Sequence, residues 1–152
     1  MAKVVEASEH ISDLFESYRK ESSIPMFVEF TYQHCPTQKV IYKPIKVNPS
    51  FELITKLNFV IVVNEDVFDK LSSEQQKIII SECFSGVRVN DSDAVSYDAP
   101  DVNTRWSTLK KFGVEEVNNT HETITLIYKQ MKDKAAEEKA NSEPKKRGRP
   151  KR

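Results

Sequence analysis

Two cysteines, three histidines and three glycines are all that this 152-residue chain carries of the residue types that most often build compact chemical sites. Cys35 and Cys83 are too few for a disulfide scaffold. No glycine-rich phosphate loop can be placed, and no Ser/His/Asp arrangement stands out. His10 and His121 stand alone, and His34 lies in a turn without a second pair of ligands at metal spacing. The N-terminus lacks the apolar run of a signal peptide, and no stretch approaches membrane-spanning length. These absences predict a soluble protein of a reducing, cytoplasmic compartment, with no catalytic residue, no metal site and no cofactor.

Charge is what the chain has in quantity, and it is segregated. The totals balance at 23 basic and 23 acidic residues. From Lys129 onward, however, ten Lys/Arg face four acids, which makes that part +6 and leaves residues 1–128 at −6. The last eight residues are Lys145, Lys146, Arg147, Gly148, Arg149, Pro150, Lys151 and Arg152, six of them cations and none an anion. Such a segment has nothing apolar to bury, so it is expected to be disordered without a partner. Narrow A·T-rich minor grooves attract inserted Arg side chains. Gly148 lets the backbone press against a groove floor, and Pro150 biases Arg149 towards an extended, thin conformation. This segment resembles an AT-hook. The resemblance implies that Arg147 and Arg149 lie along the groove while the flanking Lys and Arg contact phosphates. An acidic body is repelled by DNA over most of its surface, which confines contact to the tail.

Periodicity predicts an α+β body. Apolar positions at Val5, Ile11, Leu14, Phe15 and Tyr18 have helical spacing, giving an amphipathic helix from about Ser8. Residues 26–32 and 39–47 read as two strands joined in a hairpin, with Pro44 placing the second at an edge or bulge. Residues 51–55 form a short turn or helix. Residues 57–63 are nearly all apolar, as suits a strand buried on both faces. A short helix over 65–70 precedes one over 73–85, whose start carries Ser and Gln in capping positions and whose end is marked by Gly86. Residues 90–101 read as an acidic loop. Helices follow over 103–112, with Trp106, Leu109 and Phe112 on one side, and over 117–139, becoming solvent-exposed from about Lys132. The expected architecture is a small antiparallel sheet of about three strands packed with three to four helices. The expected division is a folded domain over 1–131, a charged helical extension over 132–144 and a basic tail over 145–152.

Several elements then line up with a known pattern. Val60-Ile61-Val62-Val63-Asn64-Glu65-Asp66-Val67-Phe68-Asp69, Leu71-Ser72-Ser73-Glu74-Gln75-Gln76, Pro100-Asp101-Val102 and Lys110-Lys111-Phe112-Gly113 occur in that order. Over roughly residues 26–128 the body resembles the phage metallopeptidases, small zinc-peptidase-like domains. The resemblance implies a minimal zincin-like fold, a phage origin, and a helix carrying His-Glu-x-x-His. Two His at i and i+4 bind zinc from one helical face while the Glu polarises water. The corresponding residues here are Ser81-Glu82-Cys83-Phe84-Ser85. Ser81 and Ser85 replace both His, so Glu82 has no metal-bound water to activate. The body therefore reads as a pseudo-enzyme with a degenerate site. Glu82 and Cys83 are adjacent and point about 100° apart on a helix, and Cys83 is most simply a core thiol. Asp91, Asp93, Asp98 and Asp101 lack the Gly and terminal Glu of an EF-hand loop and read as a solvated acidic loop.

The expected function is that of a non-enzymatic protein held on A·T-rich double-stranded DNA by its tail, in the host nucleoid if viral. Its acidic body would be free for a host protein or for a second copy of the chain. Modulation of transcription, coating of DNA and host takeover all fit that description. Two alternatives compete. One is a metal-dependent hydrolase built from Glu82 and the Asp91–Asp101 loop. The other is a protein-interaction module whose polybasic tail binds an acidic protein.

Overall fold

The computed structural model of the chain describes residues 4–99 and 102–142. The basic segment at 145–152 lies outside the described residues, as do Pro100 and Asp101. Local sequence starts the helices where expected. Ser8 is extended and its Oγ accepts from the Ile11 amide at 3.3 Å, which opens α1 (Glu9–Glu21). Asn48 does the same for α2 (Pro49–Thr55). At α4 (Ser73–Ser85) Ser72 and Gln75 exchange side-chain and backbone bonds at 3.2 and 3.1 Å, a full capping box. The short α3 (Glu65–Phe68) precedes it. After α4 come α5 (Val102–Phe112) and the 29-residue α6 (Val114–Ser142), in which every residue from Lys132 to Ala140 is exposed.

The main sheet has four strands in the order β1-β2-β4-β3: β1 (Val5–Glu6), β2 (Phe30–His34), β3 (Tyr42–Lys46) and β4 (Phe59–Val63). The architecture is α+β, but the sheet is mixed rather than antiparallel. β4 pairs parallel with β2 and antiparallel with β3, in register from Phe30↔Phe59 and from Tyr42↔Val63. The predicted hairpin of the second and third strands is thus wrong. β4 lies between them, because the most apolar strand of the chain gains most from the central position. Pro44 does sit on an edge strand, where a missing N–H costs no ladder bond on the solvent side. Residues 26–29 precede β2 instead of forming it, with Met26 and Phe27 exposed. The predicted acidic loop contains a strand: β5 (Val87–Val89) and β6 (Val95–Tyr97) pair antiparallel through a turn built on Asn90, whose Oδ1 accepts from the Ser92 and Ala94 amides.

The helices bury one face of the main sheet. Phe59, Ile61 and Val63 join Phe30, Tyr32 and Tyr42 in the core with Ile11, Phe15, Ile79, Ile80, Cys83 and Ile124. Phe15 is at its centre, with ring contacts to Tyr32, Phe68 and Phe84 at 5.3, 5.7 and 6.0 Å. On the other face Val62 is buried, Thr31, Gln33 and Val60 are half-buried, and Lys43 and Ile45 are exposed. Trp106, grouped with Leu109 and Phe112 on one side of its helix, is 56% exposed while those two are half-buried, and Thr108 is buried. No described helix is long and apolar enough to cross a membrane.

Candidate functional site

α4, which carries Ser81-Glu82-Cys83-Phe84-Ser85, packs against α1, α5 and α6. Its one-residue steps of about 100° send neighbouring side chains to different places. Ser81 and Ser85, four apart, share a face. They open onto a cleft of about 640 Å³ that also takes in Ser22, Ser107, Arg88 and Lys111. Ser81 Oγ lies 3.4 Å from Thr108 Oγ1, and Ser85 Oγ donates to the Glu82 carbonyl at 2.8 Å.

Glu82 turns away from that cleft. It is 2% exposed, and three side chains from three elements converge on its carboxylate. Tyr42 of β3 donates its hydroxyl to Oε1 at 2.8 Å. His121 of α6 places Nε2 2.7 Å from Oε2, and Arg105 of α5 brings Nε to 3.3 Å from the same oxygen. Burial pulls the carboxyl pKa upward, but the bond from His121, its charge, the Tyr42 hydroxyl and Arg105 outweigh it, and the net shift is downward. Glu82 is therefore held as the anion. Burial also pushes the Tyr42 hydroxyl and the Cys83 thiol well above their ordinary values, which keeps both neutral.

The group borders a second cavity of about 500 Å³ between the start of β3 and α6, lined by Lys39, Tyr42, Lys43, His121, Ile124 and Tyr128. Chemically this is a carboxylate that orients an imidazole. The ring is fixed through Nε2, 2.7 Å from Glu82 Oε2. The described residues place no serine, threonine or cysteine side chain on its Nδ1.

His121 was expected to stand alone, and the structure corrects this. The missed signal was its place on α6. His121 falls on the inward stripe with Val117, Ile124 and Tyr128, at the i, i+4, i+7 and i+11 positions of a buried face. A histidine there needs an internal partner. Tyr42 and Arg105 carried no comparable signal, since their meeting with Glu82 depends on the tertiary fold. His34 Nδ1 accepts from the Glu65 amide at 3.0 Å, so the ring caps α3. Cys35 and Cys83 are both buried and free, Cys83 in the core. In the acidic loop Asp98 pairs with Arg88 at 3.2 Å, and none of Asp91, Asp93 and Asp98 is a partner of Glu82. Among the described residues no group of three or more His, Cys, Asp or Glu could hold a metal ion. The predicted DNA-contacting residues Lys145 to Arg152 lie outside the described residues. Comparison with known proteins gives no further identification, since no family model, curated sequence or solved structure matches the chain.

Proposed function

We propose that this is a non-enzymatic DNA-associated protein, with Lys145, Lys146, Arg147, Gly148, Arg149, Pro150, Lys151 and Arg152 gripping the minor groove of A·T-rich duplex. The folded body serves self-association or a partner protein. The observation that carries this reading is the Arg147-Gly148-Arg149-Pro150 core in a +6 segment attached to a −6 body. Cation-lined, core-free and interrupted by Gly and Pro, the segment has the chemistry of a groove ligand. Its placement after α6 supports the same reading, because that helix ends in a stretch from Lys132 to Ala140 that is exposed throughout.

We read the body as a degenerate zinc-peptidase-like domain of phage origin, working in the host nucleoid. In support, α4 follows the central strand in the expected order and bears Ser at both positions where zinc would need His. The one retained group, Glu82, has its carboxylate taken up by Tyr42, His121 and Arg105. A carboxylate so engaged is a strut between α4, α5, α6 and β3 rather than a base for a water molecule.

The test is a titration of A·T and G·C duplexes with the full chain and with a chain lacking residues 145–152. The full chain is expected to prefer A·T duplex, with log K falling against log salt at a slope of about −5 for about six neutralised phosphates. Removal of the segment is expected to abolish binding. Equal binding by the shortened chain, or no A·T preference, refutes the reading. Stoichiometric zinc that disappears in Glu82→Ala would instead restore the hydrolase alternative.

A further inference from the structure

Half of the large apolar side chains that the structure leaves exposed are gathered at one end of the main sheet. β2 and β4 run parallel and begin there, at Phe30 and Phe59, and antiparallel β3 ends there, at Lys46. Met26 and Phe27 lead into β2, Ile45 is the penultimate residue of β3, and α2, leading into β4, adds Phe51, Leu53 and Ile54. Their exposures are 66, 51, 41, 57, 82 and 74%. The segments are held together: Lys46 Nζ meets Glu52 at 2.6 Å, and Asn58 bonds both Glu52 and the Glu29 amide. α2 buries none of its residues. A seven-residue helix of low intrinsic stability that is apolar where it meets water points to a surface covered in the working protein.

We infer that this end of the sheet is the face through which two copies of the chain form a dimer. Area is one argument. At about 200 Å² for each large apolar side chain, the six expose roughly 700 Å². Summed over the three adjoining segments, that approaches the ~800 Å² per partner of a stable interface. Charge is the other. Residues 1–128 carry −6, so most surfaces of the body repel their own copy. At this end the exposed and half-buried charges Glu29, Lys46, Glu52 and Lys56 sum to zero, and Arg19, buried against Met26, adds one positive charge, so this end lacks the acidic excess of the body. Lys46 and Glu52 pair with each other, leaving Glu29 and Lys56 exposed, one of each sign. A two-fold axis brings each residue i against j and j against i, so Glu29 of one copy can meet Lys56 of the other. The patch is self-complementary in sign as well as apolar. Self-association is the half of the proposed function sharpened here. No DNA enters its test, so tail binding and dimer formation fail separately.

The experiment is sedimentation equilibrium of the full chain from micromolar to about 200 µM, at low salt and at about 0.5 M salt, with Leu53→Asp and Ile54→Asp as separate variants. Both residues are more than two-thirds exposed, so the variants should keep the wild-type circular dichroism and melting temperature. Wild type is expected to dimerise at both salt concentrations, and either variant to weaken the dimer by about tenfold or more. A chain that stays monomeric throughout overturns the inference and leaves the patch to another protein. A dimer that the variants do not weaken places the interface elsewhere, and one that dissolves in salt is contact between basic tails and acidic bodies. Either result also overturns it.

Discussion

Glu82 is the residue through which α4 meets β3, α5 and α6. It receives Tyr42, His121 and Arg105 at 2.8, 2.7 and 3.3 Å while almost wholly removed from water. A buried anion without partners is severely unfavourable, so the three contacts are needed chiefly to offset desolvation. Losing one donor should cost modestly, and Tyr42→Phe is expected to lower stability by about 1 kcal/mol. Glu82→Gln keeps the shape but leaves Arg105 facing a neutral amide, and about 2 kcal/mol is expected. The sign with pH follows from the lowered pKa. A carboxyl whose folded value is depressed contributes stability above the ordinary glutamate value of about 4.3 and loses it as pH falls through the lower folded value. Urea unfolding of wild type and Glu82→Gln from about pH 6 to about pH 3 should therefore show their difference shrinking towards acid. A difference that stays constant would mean that Glu82 has the same pKa folded and unfolded, and one that grows towards acid that it is protonated in the folded protein.

Two glycines end or separate helices for different reasons, and alanine tells them apart. Gly86 caps α4 with an ordinary φ of −83°, so its identity is not required by backbone conformation. A Cβ there would strike the Asp98 carbonyl oxygen and come within 2.6 Å of the Tyr97 ring, where β6 crosses the helix end. Gly113, between α5 and α6, has a φ of +94° and open space around it. Gly113→Ala should cost about 1 kcal/mol of backbone strain. Gly86→Ala should cost more, about 2–3 kcal/mol, since backbone has to move. Thermal melts of both variants rank them, and a milder Gly86→Ala would show that β6 does not press on α4. This close crossing is also why the hairpin escaped sequence reading. Asn90 to Asp101 is polar enough to look like loop, and its strand residues, Val95 and Tyr97, gain their burial only by packing against the core. By contrast α4 was legible to the residue, because Ser72 and Gln75 act on the chain beside them. β4 was legible as a buried strand from its apolar run, but its neighbours were not. Parallel pairing with β2 joins residues 29 apart through an intervening strand and helix, and no local pattern reports that. Glu82 and His121, 39 apart, are hidden for the same reason, although the stripe on α6 marked His121 as inward.

At the scale of the whole molecule the described end of α6 and the apolar patch lie at opposite ends of the sheet. β4 begins at the apolar end with Phe59 and finishes at Val63, where Asn64 bonds Tyr128 of α6 at 3.3 Å. Beyond that point α6 runs past α3, with Met131, Lys134 and Glu138 beside Asp66 and Asp69. The chain thus leaves for its basic terminus from the end remote from the patch. A dimer closed through the patch would carry two copies of the basic segment, able to engage two A·T tracts at once. One segment with about six cations binds weakly and with strong salt dependence. Two on one scaffold turn the second contact into an intramolecular one, which can raise affinity by about 100-fold or more when the spacing fits. The expected result is that wild type prefers a duplex with two separated A·T tracts over one with a single tract by at least about tenfold. Leu53→Asp should bind the single-tract duplex as wild type does and lose the preference. Fluorescence anisotropy with both duplexes at one fixed salt concentration measures this. If Leu53→Asp keeps the two-tract preference, the apolar end does not couple the tails. If it weakens single-tract binding as well, the substitution has disturbed the tail's own grip, and the separation of patch and tail is wrong.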